Sequence, residues 1–138
     1  MSVIVDYQDL IGVQFAYGGR GPDTYDCYGL AIELYRRLGK DIPDVRSPTE
    51  LDAIAHQVDL ERHKWIEIAK KPESDVIPFS ALQPGRLIVL RVKGLACHVG
   101  FIHRPRKFLH TWEASNQVIQ CELADWRSRI TDVYEYGG

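Results

Sequence analysis

Asp26-Cys27-Tyr28-Gly29-Leu30-Ala31-Ile32-Glu33-Leu34-Tyr35-Arg36-Arg37-Leu38-Gly39 is the stretch that decides the fold. Cys27, Leu30, Ala31, Leu34, Tyr35 and Leu38 follow steps of three and one, which trace a single apolar stripe along a helix. Its ends are marked as well. Asp26 suits the N-cap, where a carboxylate accepts a first-turn amide, Arg36 and Arg37 suit the negative C-terminal end, and Gly39 suits the left-handed position beyond it. The spacing predicts a helix over residues 26–38 with a cysteine in its first turn.

Working outward, residues 8–15 form a weaker helical candidate, and a further helix is expected after Ser47-Pro48, through Leu51, Ile54, Ala55 and Val58. Residues 41–45 read as an irregular connection. From Trp65 onward the pattern changes to short apolar runs divided by Pro, Gly and charged pairs, as in antiparallel strands. Strands are expected over 65–68, 86–92, 97–103, 107–112, 117–121 and 132–136, with one helical turn over 124–127. Pro84-Gly85, Lys93-Gly94 and Arg104-Pro105-Arg106 supply reversals. Helices first and strands afterwards point to an α+β fold, helices packed on a central antiparallel sheet of five to six strands.

At 138 residues the chain is the size of one domain, spanning 1–138, and too short for two cores and a linker. With 45% apolar and 26% charged residues it has a globular composition, which excludes a disordered or collagen-like reading. Lys plus Arg against Asp plus Glu is 17 − 19 = −2, so no basic excess draws it to nucleic acid or anionic lipid. No apolar run approaches the length of a membrane span, and MSVIVDYQDL lacks the basic, apolar character of a secretory signal. The expectation is a chain that stays where it is made, in the cytoplasm. Cys27, Cys97 and Cys121 cannot all pair with one another, so at least one thiol is free.

Cys27 is the chemically interesting one, because unpaired amides and the helix dipole stabilise a thiolate at a helix start. A cysteine of pKa about 8.5 is only about 3% thiolate at neutral pH, so this placement and a neighbouring imidazolium together offer a gain of roughly thirtyfold. For an arbitrary cysteine, burial as a small apolar side chain is the commoner case. Gly29 disfavours the helix it sits in, which calls for a close approach of backbone or substrate. The histidines shift the balance further. His98 shares a strand face with Gly100 and Ile102, and a reversal at 104–106 puts Phe108, His110 and Trp112 on that same face. A turn centred on Arg104 sets His98 opposite His110, and one centred on Pro105 makes them diagonal neighbours. The arrangement of nucleophile, base and orienting residue is then Cys27, His98 and His110. A metal site is disfavoured, because Cys97 faces away from His98 without a bulge and no CxxC or HxxxH spacing exists; no cofactor is expected.

Gly12-Val13-Gln14-Phe15-Ala16-Tyr17-Gly18-Gly19, Asp26-Cys27-Tyr28-Gly29-Leu30, Leu82-Gln83-Pro84-Gly85-Arg86-Leu87, His98-Val99-Gly100-Phe101-Ile102 and Phe108-Leu109-His110 resemble, in order, the landmarks of the NlpC-type cysteine peptidases. The resemblance implies a papain-like fold and hydrolysis of amide bonds in peptidoglycan stem peptides. It makes Cys27 the nucleophile, His98 the general base and His110 the orienting residue, and it gives Asp26 a role towards a substrate amine beside its capping role. The family usually has serine, which helps shape the substrate amine site, where this chain has Tyr28, tyrosine where it has Phe15, and aspartate where it has Arg86, so the resemblance makes Tyr28 and Tyr17 expected substrate contacts. Without a hydroxyl at Phe15, the backbone N–H of Cys27 and the Tyr17 side chain are left as oxyanion donors. Tyr28 and the absent export signal resemble phage or prophage tail-associated members, which implies a tail-tip setting and other tail proteins as partners. Trp112 is expected at the cleft, Trp65 and Trp126 in the core or at its rim, Arg20 and Asp23 as solvated loop charges, His56 and His63 on the surface, and Cys97 and Cys121 as inert buried thiols.

Overall fold

The computed structural model describes residues 7–44, 64–92 and 95–138, with the backbone alone at 95–97. The expected helix is α1, Cys27–Arg37, and it starts where the sequence says it should. Asp26 is the N-cap, its carboxylate accepting from the Gly29 amide at 2.6 Å, and Gly39 has the left-handed φ of 80°. Leu30, Ala31, Leu34 and Tyr35 are almost fully buried, so the apolar stripe faces the core.

Ahead of the helix, β1 (Gln14–Phe15) pairs in parallel with β2 (Thr24–Tyr25). Six further strands form one sheet: β3 (Trp65–Lys70), β4 (Leu87–Val92), β5 (Leu95–Arg104), β6 (Lys107–His110), β7 (Ile119–Glu122) and β8 (Ile130–Tyr136). Their spatial order is β3-β8-β4-β5-β6-β7, with every pairing antiparallel. A short helix α2 (Leu123–Trp126) and a 3-10 turn (Arg127–Arg129) link the last two strands. The α+β architecture therefore stands as expected, and its strand ends differ from expectation by a few residues.

The expected helix over 8–15 does not form. Gly12 takes φ 93°, its amide donates to the Val118 carbonyl at 3.0 Å, and Phe15 N–H donates to Asn116 O at 3.0 Å. Residues 8–12 run through turns instead, only Gln14–Phe15 is extended, and backbone bonds to the loop before β7 fix the segment, so tertiary pairing overrides a weak helical pattern. The expected helix after Ser47-Pro48, together with His56, His63 and the Lys93-Gly94 turn, lies outside the described residues.

The sheet divides two cores by strand alternation. Leu87, Val89, Val99, Phe101, Leu109 and Tyr134 pack with Cys27, Tyr28, Leu30, Leu34 and Tyr35 on the α1 side. Ile88, Leu90, Ile102, Phe108, Ile130 and Val133 pack on the other side with Ile77, Leu82 and Leu123. Arg86 joins these parts, donating to the Ala81 carbonyl at 2.9 Å and reaching Glu135 at 3.5 Å. These contacts give the arginine that stands where the family has aspartate a structural purpose.

Candidate active site

Cys27 is the first residue of α1 and is 5% exposed. The turn before it is held by charge. Asp26 Oδ1 accepts from Gly29 N–H at 2.6 Å and from the Arg20 guanidinium at 2.7 Å, while Oδ2 accepts from Gly18 N–H at 3.2 Å. Arg20 also bonds Asp44 Oδ1 at 2.9 Å and the Gly19 carbonyl at 3.0 Å. Arg20 is thus a part-buried ion-pair partner instead of the expected solvated charge; Asp23 is exposed. With three donors already on it, the Asp26 carboxylate is first of all a cap and a clasp for the 18–20 loop. Gly29 is explained by the same loop, since a Cβ there would lie 2.0 Å from the Gly19 carbonyl oxygen.

The histidine pair forms as strand parity predicts. Phe101 faces Leu109 and Ile102 faces Phe108, the register of a reversal centred on Pro105, so His98 and His110 are diagonal neighbours. His98 Nε2 lies 2.7 Å from His110 Nδ1. Both rings are buried, and burial lowers both pKa values: His98 to about 3, with the neighbouring His110 adding to the effect, and His110 to about 4. Each ring is therefore neutral at physiological pH. A standing imidazolium beside the thiol, assumed in the thirtyfold gain above, is not what this environment favours; a neutral base is.

The pairs Leu90–His98 and Arg91–Ala96 leave Cys97 as an extra residue in β5, a bulge immediately before the candidate base. By alternation, His98 and His110 project with Gly100, Ile102 and Phe108, on the face opposite the Val99, Phe101 and Leu109 side chains that meet α1. Trp112 lies 5.8 Å from His98 between ring centroids and 6.3 Å from His110. Trp126 packs edge-on to His110 at 4.9 Å, and Phe108 lies at the same distance. Among the described residues no group of three His, Cys, Asp or Glu side chains is placed to hold a metal ion.

Two expected substrate contacts sit elsewhere. Tyr28 is fully buried and its hydroxyl donates to the Pro43 carbonyl at 2.6 Å, so the phenol is a core residue that ties down the chain after α1. Tyr17 is open to solvent, but its hydroxyl donates to Glu113 at 2.6 Å. One residue that the sequence reading set aside belongs here. Cys121, instead of being an inert buried thiol, is partly exposed and its sulfur lies 3.3 Å from His110 Nε2. Strand parity carries that signal: Ile119 faces His110 and Cys121 faces Phe108, so Cys121 is the diagonal neighbour of His110 in β7.

A family model, NlpC/P60, matches residues 12–135 of this chain. The chain belongs to the NlpC/P60 family. Among solved structures, NlpC2 from Trichomonas vaginalis superposes with a TM-score of 0.60 at 19% identity, over 92% of this chain and 43% of that one. A lipoprotein-like NLP/P60 protein from Staphylococcus aureus gives a TM-score of 0.58 at 19% identity, covering 94% and 38%. The NlpC/p60 domain of the peptidoglycan hydrolase SagA gives 0.55 at 17% identity, covering 91% and 88%. At these identities the likeness is one of fold, and the chain spans less than half the length of the first two of these structures. No curated protein sequence matches it significantly.

Proposed function

We propose that this NlpC/P60 domain is a cysteine endopeptidase that hydrolyses amide bonds in peptidoglycan stem peptides through a thioester. The observation that carries the reading is the histidine pair. His98 uses Nε2 towards His110, which leaves Nδ1 as the nitrogen for a thiol proton. Cys27, at the positive end of α1, is the nucleophile. As its sulfur bonds to the substrate carbonyl carbon, its proton passes to His98 Nδ1, and the carbonyl oxygen becomes an oxyanion beside the first amides of α1. Collapse breaks the C–N bond, the leaving amine takes the proton from His98, and the acyl group remains on sulfur. A water then gives its proton to His98 and its oxygen to the carbonyl carbon, releasing a carboxylic acid and the thiol. Membership of the NlpC/P60 family and the likeness to a peptidoglycan hydrolase domain support peptidoglycan as the substrate.

The reading requires the Cys27 sulfur to reach Nδ1 of His98 at the bulged end of β5. Treatment with 1,3-dibromoacetone tests this, because a three-carbon bridge links a thiol to an imidazole only when the two are neighbours. Peptide mapping is expected to show a Cys27–His98 link; alkylation of Cys27 without the link counts against the pair. Incubation with defined muropeptides and mass analysis is expected to show cleavage by the wild type and none by Cys27→Ala. An intact muropeptide beside a reactive Cys27 favours an acyltransferase or a hydrolase of other amides. The tail-tip setting rests on the motif resemblance at Tyr28, and copurification with phage particles tests it; a tail component with incidental catalytic residues would leave infection unchanged in Cys27→Ala.

A further inference from the structure

The histidine pair does not end at His110. His110 Nε2 meets the Cys121 sulfur at 3.3 Å, so an unbroken line of polar atoms runs from His98 through His110 to the next strand. Each ring has only one proton when neutral, and a line of this kind has two self-consistent settings. In one, Cys121 accepts from His110 Nε2–H, His110 Nδ1 accepts from His98 Nε2–H, and His98 Nδ1 carries a lone pair. In the other, the Cys121 S–H donates to His110 Nε2, His110 Nδ1–H donates to His98 Nε2, and His98 Nδ1 holds the proton. Only the first leaves Nδ1 of His98 able to take a proton.

We infer that Cys121 is a positioning residue which, as an acceptor for His110 Nε2–H, sets both rings in the tautomers that leave His98 Nδ1 free to take a proton. This deepens the catalytic reading above and rests on it. Three observations bear on the choice between the settings. An imidazole N–H is a stronger donor than a thiol S–H, and sulfur is a workable acceptor, which favours the first setting. His110 is fully buried among Phe108, Trp126 and Trp112, where its Nε2–H has no water to turn to, so loss of the sulfur leaves a buried donor unsatisfied. Burial also holds the Cys121 thiol above its ordinary pKa despite the opposing hydrogen bond with Trp126, so no thiolate forms here to draw a proton off the line.

Two substitutions separate this role from mere packing. Cys121→Val keeps the volume and removes the acceptor, and Cys121→Ser keeps an acceptor. With 15N-labelled histidine above pH 6.5, imidazole nitrogen shifts report the tautomer of each ring without any substrate, so this readout does not depend on the identity of the reaction. Wild type and Cys121→Ser are expected to show Nε2–H on both rings, and Cys121→Val a shift towards Nδ1–H. In stem-peptide cleavage, Cys121→Val is expected to lose about tenfold or more in kcat with KM unchanged, and Cys121→Ser to recover most of it. Nδ1–H on His98 in the wild type, or unaltered tautomers and kcat in a folded Cys121→Val, overturns the inference. Failure of the catalytic reading itself would show differently, as full activity in Cys27→Ala beside an altered tautomer in Cys121→Val.

Discussion

Cys27 and the His98–His110 pair are held by opposite means. Around Cys27 the scaffold is ionic and rich in backbone donors: Asp26, Arg20 and Asp44 bind the loop, the helix cap and the chain after α1 into one network. Around His98 and His110 it is aromatic and uncharged, with Phe108, Trp112 and Trp126 packed on the rings. The first environment favours negative charge at the helix tip, and the second disfavours positive charge on the imidazoles. Under the proposed mechanism both favour a base that is ready before substrate arrives, and the two environments separate in their sensitivity to mutation, acid and salt.

The base side should break most sharply. His98→Ala is expected to lower kcat by at least about a hundredfold in muropeptide cleavage, measured where the variant is still folded, since general-base catalysis is worth about 10²–10⁴. A fall in stability that accounts for the lost activity would deny His98 a chemical role. Gly29→Ala strikes the nucleophile side, because the new methyl group would meet the Gly19 carbonyl oxygen at 2.0 Å. A loss of about 3 kcal/mol, or failure to fold, is expected in thermal or urea unfolding; an unchanged midpoint would mean that the loop yields freely.

Acid acts on the histidine side. Folded His98 and His110 have pKa values of about 3 and about 4, below the usual 6.5, so the unfolded chain binds protons first as pH falls. Their contribution to stability is complete above about pH 6.5 and shrinks on acidification towards pH 3, by about 1.4 kcal/mol per pH unit for each histidine that only the unfolded state has protonated. Urea unfolding between pH 7 and 4.5 should show this slope, reduced in His110→Gln; a flat profile would contradict the buried neutral pair. The smallest effect belongs to the ionic side. Asp44→Asn removes the exposed charge that Arg20 meets at 2.9 Å, and is expected to cost less than about 1 kcal/mol, with wild-type stability showing only slight salt dependence.

Much of this was legible in the sequence because it depended on local periodicity. The α1 stripe, its Asp26 cap, the glycine conflict at Gly29 and the shared face of His98 and His110 all follow from spacings of 3.6 or 2. The 8–15 segment was misread because its conformation is set by backbone partners about a hundred residues away, at Asn116 and Val118. Arg20 looked like a solvated charge for the same reason, since Asp44 joins it only through folding. Cys121 was within reach of parity reasoning, but its meaning depends on the β6–β7 register, which no turn signal in 111–118 fixes.

One further consequence concerns residues 41 and 64, which bracket the long connection between α1 and β3. The Asp41 carbonyl accepts from the Tyr136 hydroxyl at 3.0 Å, and the Lys64 carbonyl accepts from Gly137 N–H at 2.7 Å. Both anchorages fall on the same strand terminus, so the polypeptide departs from and comes back to one place. Ends held together in this way make changes of intervening length cheap, because each doubling of loop length costs only about 0.6 kcal/mol of closure entropy. Length and sequence can then vary between these two anchor points while the paired strands of the sheet stay as they are.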